Sequence, residues 1–182
     1  MSRALVMLAN GFEETEAVTT IDLLRRAGIE VVVAALAGDR ARGSHGIEVH
    51  ADAALDDVLD ASYDAVVLPG GQPGASHLAA DARVLGCLRK QVSEGRVLAA
   101  ICAAPSVLAA AGVLAGRRVT AFPGALAPDA APDLELTGDA VVRDGNVITS
   151  RGPGTAIDFA LALVDALEGR AVRDRVEASL QR

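Results

Sequence analysis

Aromatic side chains are nearly absent from this 182-residue chain: it has no tryptophan, one tyrosine and three phenylalanines. With 51% hydrophobic residues all the same, its core has to be assembled from Ala, Val, Leu and Ile, which suits helices laid on a buried parallel sheet. Cysteine is scarce too. Cys87 and Cys102 fall on different expected elements and give no disulfide framework. Basic residues are outnumbered, and a net charge of -7 with a pI near 4.9 and no basic run excludes stable binding to duplex nucleic acid. No apolar run approaches the roughly 20 residues that span a bilayer, and the apolar stretch after Arg3 is too short for the core of a signal peptide. A cytoplasmic protein with no membrane association is therefore expected. Histidine is limited to His45, His50 and His77, none in a metal-ligand spacing, so neither a metal nor a cofactor is implied.

What is present is a regular alternation of apolar runs and amphipathic stretches. Residues 4–8, 30–35, 65–68 and 97–101 read as strands, with 119–121 and 147–150 as further ones. Residues 14–27 read as a helix with Ala17, Ile21 and Leu24 on one face, stopped by Gly28. A polar stretch at 38–45 followed by alternation at 47–50 suggests a hairpin excursion. Helical patterns follow at Val84, Leu85, Leu88 and Val92, at 104–112, at 155–167 and at 171–180. This order predicts one domain over residues 1–182, an α/β fold with a mostly parallel sheet and helices on both faces. Functional sites in such folds lie beyond the carboxyl ends of the strands.

Three segments end strands and should converge at that edge. The most informative is Val97-Leu98-Ala99-Ala100-Ile101-Cys102-Ala103-Ala104-Pro105, an apolar strand running into one cysteine, small residues and a proline suited to a helix's first turn. Ala100 and Ala104 stand where a nucleophile elbow has its glycines, because strand and helix approach closely there. A lone cysteine is often only a small buried hydrophobe. The small-residue frame favours a nucleophile, its thiol pKa lowered by the following helix N-terminus. The second segment, Pro69-Gly70-Gly71, by itself is an ordinary turn. Beside the elbow, the Gly71 and Ala103 amides would form an oxyanion hole. The third is Asn10-Gly11-Phe12-Glu13-Glu14-Thr15-Glu16. Acids in a first helical turn commonly just complement the helix dipole. Glu16, however, shares a stripe with Thr20, Leu23 and Ala27 and can point inward while Glu13 and Glu14 stay wet. Buried beside a thiolate, Glu16 should be protonated and able to move protons on a carbonyl substrate. No histidine stands beside the elbow. His45 and His50 read as surface or interface residues, His77 as a residue at the site rim and Cys87 as structural. A Cys-His hydrolytic dyad thus lacks its base.

These segments, in this order, resemble the ThiJ/PfpI superfamily, in particular its DJ-one branch and within that the bacterial YajL-like proteins. The resemblance is carried by Arg3-Ala4-Leu5-Val6, Glu13-Glu14-Thr15-Glu16-Ala17-Val18, Val66-Val67-Leu68-Pro69-Gly70-Gly71, the elbow, and Gly152-Pro153-Gly154-Thr155-Ala156-Ile157-Asp158-Phe159. It implies a flavodoxin-like sandwich that forms a homodimer. It also implies Cys102 as nucleophile and peroxide-sensitive thiol, Glu16 as its protonated partner, and Gly71 and Ala103 as oxyanion amides. One departure is Phe122, where many members place a histidine. A second is His45, which falls where the DJ-one pattern has an arginine on the dimer side.

The function implied is a cysteine-dependent glyoxalase or deglycase without glutathione. It would act on methylglyoxal or glyoxal and on early glycation adducts of proteins and nucleotides, in protection against carbonyl and oxidative stress. An alternative of a different class is a redox sensor or chaperone switched by oxidation of Cys102. A cysteine peptidase would need the histidine that is missing.

Overall fold

The continuous apolar runs become inner strands, since a strand covered on both faces has no polar side to show. A computed structural model describes residues 1–182 and arranges seven strands in one sheet. At its centre β1 (Arg3–Leu8) lies between β2 (Glu30–Ala35) and β6 (Ala65–Leu68), all parallel. Beyond β6 come β7 (Val97–Ile101) and β11 (Val147–Ser150), also parallel, and then β10 (Val141–Asp144), which closes that edge antiparallel. The two-residue β5 (Ala53–Ala54) closes the other edge beside β2. From β1 the chain first builds outward to β2 and then crosses back to β6. The carboxyl ends of β1 and β6 therefore mark the point where the winding reverses, the crevice that doubly wound sheets use for sites.

Side chains of β1 show how the two layers form. Ala4, Val6 and Leu8 enter one core and Leu5 and Met7 the other, as the two-residue period of a strand requires. The first core is covered by α1 (Glu14–Arg26), α5 (Ala156–Glu168) and α6 (Arg170–Ser179), with Leu24, Phe159 and Leu163 fully buried. The second is covered by α2 (Gly74–Ala80), α3 (Ala82–Ser93) and α4 (Pro105–Ala110), with Leu78, Leu88 and Leu108 inside. Ala99 and Ala100 of β7 face opposite cores, and their small size lets helices approach the sheet on both sides. The expected sandwich is thus what the chain forms, and no helix is long and apolar enough to cross a membrane.

Several local expectations need correction. The helix read at Val84, Leu85, Leu88 and Val92 is α3, but a further helix, α2, precedes it unannounced. The two divide at Asp81, whose carboxylate accepts the Arg83 N–H at 2.9 Å and caps the second. The strand expected at 119–121 is β8 (Arg118–Thr120), and it is not part of the main sheet. It pairs in parallel with β9 (Glu135–Thr137) as a separate ribbon. Neither β9 nor β10 was signalled by the sequence, because strands of three or four half-exposed residues carry no readable period. The hairpin excursion is present as β3 (Arg40–Arg42) antiparallel to β4 (Glu48–His50).

Candidate active site

Cys102 follows directly on β7 with a φ of 65°, a left-handed backbone that only glycine adopts without cost. Its neighbours hold it there. The Cys102 N–H donates to the Ser150 carbonyl and its own carbonyl accepts the Phe122 N–H, each at 2.9 Å. Pro105 opens α4 three residues later. The loop after β6 presses against this turn. A Cβ on Gly70 would lie 2.6 Å from the Cys102 Cβ and 2.7 Å from the Ile101 carbonyl oxygen, so only glycine allows the approach. The amides of Gly71 and Ala103 donate to no backbone carbonyl, and both act on the Cys102 sulfur, favouring its ionised form. Cys102, Gly71, Gln72, Ala103, Phe122 and Pro123 are among the residues lining a cleft of about 410 Å³.

Glu16 reaches the same point from α1. The Glu13 carboxylate caps that helix by accepting the Glu16 N–H at 2.7 Å, which fixes the first turn against the loop. The Glu16 side chain is completely buried. One of its oxygens, Oε2, accepts the Gly70 N–H at 2.7 Å. Its Oε1 has no hydrogen-bond partner, and the Cys102 thiol is the side chain that interacts with the carboxyl group. Burial pushes the Glu16 pKa up to about 7, against the opposing pull of the Gly70 N–H and the thiol.

The thiol itself departs from the sequence expectation. Burial, followed by the charge of Glu16 and the hydrogen bond to it, pushes Cys102 up to about 12, against the two amides. The helix N-terminus does not lower it as expected, because α4 has only six residues and the sulfur sits below the surface next to a carboxylate. Two groups that each resist ionisation next to the other share one proton over a broad pH range. Either placement of that proton removes the repulsion between two charges; with the proton on Glu16, the sulfur faces the two N–H donors and a carboxylic O–H.

The other sequence candidates lie elsewhere. Glu14 was expected to stay wet and is instead almost fully buried. Its carboxylate accepts the His45 N–H at 2.6 Å and pairs with His45 Nδ1 at 2.9 Å, with Ser44 and Ile47 as further donors. Burial raises its pKa, but the bonds from His45 and Ile47 outweigh it and leave about 2. Glu13, Glu14 and His45 bring ligand atoms within 4.8 Å of one another, a proximity that chain spacing could not show. Those Glu14 oxygens are already taken by the loop. His77 pairs through Nδ1 with the Asn10 carbonyl at 3.1 Å and lines a different cavity. No histidine lines the Cys102 cleft; the half-exposed Phe122 ring stands at its wall. Cys87 is half-buried on α3 among core residues. Sequence reasoning missed Gly70 as the donor to Glu16. The signal was available, since two consecutive glycines after a strand mark a close approach.

The DJ-1/PfpI family model matches residues 2–166 of the chain. The Parkinson disease protein 7 homolog of Danio rerio is 45% identical over 181 residues, covering 98% of this chain and 96% of that protein. The glutathione-independent glyoxalase DJR-1.2 of Caenorhabditis elegans is 39% identical over 168 residues, 91% of this chain and 89% of its own. The crystal structure of Drosophila melanogaster DJ-1beta superposes with a TM-score of 0.94 at 42% identity, covering 100% of this chain and 98% of the other.

Proposed function

The chain belongs to the DJ-1/PfpI family, and from that premise we propose that it is a cysteine-dependent glyoxalase needing no glutathione, with Cys102 as nucleophile and Glu16 as proton carrier. The observation that carries this reading is the burial of Cys102 and Glu16 side by side, with two amides free of backbone acceptors at the sulfur and no histidine in the cleft. Such a site suits a small, strongly electrophilic aldehyde, whereas an amide needs a base to activate the attack and an acid for the leaving amine. The C. elegans relative, named a glutathione-independent glyoxalase, supports the same substrate class.

In the proposed reaction the sulfur adds to the aldehyde carbon of methylglyoxal, and the resulting oxyanion takes the Glu16 proton. The Gly71 and Ala103 amides stabilise the developing charge. The Glu16 carboxylate then removes the C1 hydrogen as a proton and returns it to C2, turning the hemithioacetal into a lactoyl thioester. Water cleaves that bond, so methylglyoxal plus one water gives lactate and restores the thiol. Glycation adducts of Cys, Lys, Arg or guanine carry the same carbon in a reduced-electrophile form, and deglycase action on them is the finer part of this proposal. Purified protein should convert methylglyoxal to lactate, and Cys102→Ser should reduce the rate at least 100-fold. Turnover surviving that substitution would sink the assignment. Comparing free methylglyoxal loss with adduct loss at matched buffer concentration separates glyoxalase from deglycase action.

A second reading follows from the same two amides, which suit the oxygens of an oxidised sulfur as well as an oxyanion. A peroxide-switched protein predicts stoichiometric oxidation of Cys102 with negligible dicarbonyl turnover, and preferential oxidation of Cys87 would count against it.

The proposal extends to a homodimer. Val18 on α1, Ile47 in the β3–β4 loop and Ile157 at the start of α5 are large apolar residues left exposed. The Ile47 N–H donates to Glu14, which lies one turn before Val18 on α1. Apolar exposure of this kind on packed helices supports self-association.

A further inference from the structure

The Cys102 cleft does not end at Phe122. A second cleft of about 360 Å³ lies on the far side of that residue, and Phe122 and Pro123 form walls of both. The Phe122 ring is held in place from two directions. Its backbone N–H is bonded to the Cys102 carbonyl. The ring lies against Gly152, where a Cβ would meet the ring carbon Cδ2 at 3.3 Å. The Phe122 ring, 49% exposed, thus stands between the two clefts and lines both.

The far cleft is bounded by Arg151, Gly152 and Pro153. Arg151 has no carboxylate within ion-pair distance, although most arginines of the chain do. Its neighbour Asp139 is taken by Arg118 at 2.5 Å. The Arg151 guanidinium donates once, from one terminal nitrogen to the Gly138 carbonyl at 2.9 Å. Four of its five N–H donors remain, enough for a two-point contact with a carboxylate. Both walls of the far cleft next to Phe122 are apolar or glycine backbone, so the only charge it offers is this cation.

We propose that the two clefts are one substrate trough, in which Phe122 separates a reacting half at Cys102 from a tail half where Arg151 binds a carboxylate. The preferred substrate is then a 2-oxoaldehyde with an apolar linker and a terminal carboxylate. This rests on the glyoxalase reading for the reacting half and adds to it the identity of the tail. A single fork-shaped cation matches a carboxylate monoanion, whereas a phosphate dianion calls for several donors. Phe122 acts as a specificity residue by forcing the linker to pass along its face.

The test compares 4,5-dioxopentanoate and its two-methylene-longer homologue with their methyl esters. For at least one chain length the acid should show a KM at least tenfold below that of its ester, with similar kcat, and the difference should shrink as salt rises. Arg151→Gln should bring the two KM values within about twofold, and Arg151→Lys should fall between. Equal KM values for acid and ester in the unmodified protein, or a preference that survives Arg151→Gln, overturn the inference. Calorimetric binding of the same acids to Cys102→Ser, with and without Arg151→Gln, keeps the two proposals separable. Arg151-dependent binding without any turnover would leave the tail site standing and remove the glyoxalase reading. Turnover of acid and ester alike would do the reverse, and neither turnover nor Arg151-dependent binding would remove both.

Discussion

At the scale of single residues, the site is built from a strained backbone and an uncomfortable proton. Cys102 sits at φ 65°, where a Cβ costs about 1 kcal/mol. Cys102→Gly should therefore be more stable than Cys102→Ala by about 1 kcal/mol in urea unfolding, although both lose the sulfur. Glu16 has its pKa raised to about 7 by burial, against about 4.3 in an unfolded chain. The sign follows directly. At pH 4 both states hold the proton and nothing is lost. Between pH 4 and 7 the unfolded chain releases it first, so stability falls, and above 7 the loss is constant. Glu16→Gln should accordingly gain stability over the parent as pH rises from 4 to 7, by on the order of 3 kcal/mol at the plateau. In the parent protein, iodoacetamide alkylation of Cys102 should accelerate as the pair loses its first proton near pH 7. In Glu16→Gln that step should vanish and leave the thiol's own titration.

At the scale of elements, α1 is the part that organises the site. Its cap Glu13 secures the turn that carries Glu16, and one residue along, Glu14 secures the β3–β4 loop through His45 and Ile47. Glu14 holds its charge down to about pH 2, so this tie is present above the ordinary carboxylate range and is lost as pH falls through that value. Glu14→Ala should cost about 1–3 kcal/mol at pH 7, because several loop donors lose their acceptor. The difference from the parent, followed by urea unfolding, should narrow steadily below pH 4.5. A gap independent of pH would mean that the loop is held by packing and not by this charge.

At the scale of the whole molecule, the proposed dimer face and the sheet are separable. Val18 and Ile47 are exposed and belong to no core, so Val18→Asp with Ile47→Asp should leave circular dichroism unchanged and raise the dimer dissociation constant at least tenfold. Light scattering across a dilution series reads this, and a dimer that persists at the same constant would place the interface elsewhere. The layered fold itself was legible in the chain. Runs such as Ala65–Leu68 and Val97–Ile101 are apolar throughout, and only a strand buried on both faces needs that. The elbow was legible for a similar reason, since small residues around one cysteine record a close approach of strand and helix. By itself the sequence thus determined the α/β architecture, the strand ends that carry Cys102 and Gly70-Gly71, the helix that carries Glu16, and the absence of a histidine beside the elbow in the chain. Tertiary structure alone decided the rest. Local pattern does not show which distant donors a buried carboxyl will meet, and burial together with those donors, not chain position, sets where a proton sits. For that reason Glu14, met by the His45 and Ile47 donors, came out ionised and Glu16 resistant to ionisation two residues apart on one helix, the thiol came out raised, and Phe122 and Arg151 came to line one cleft.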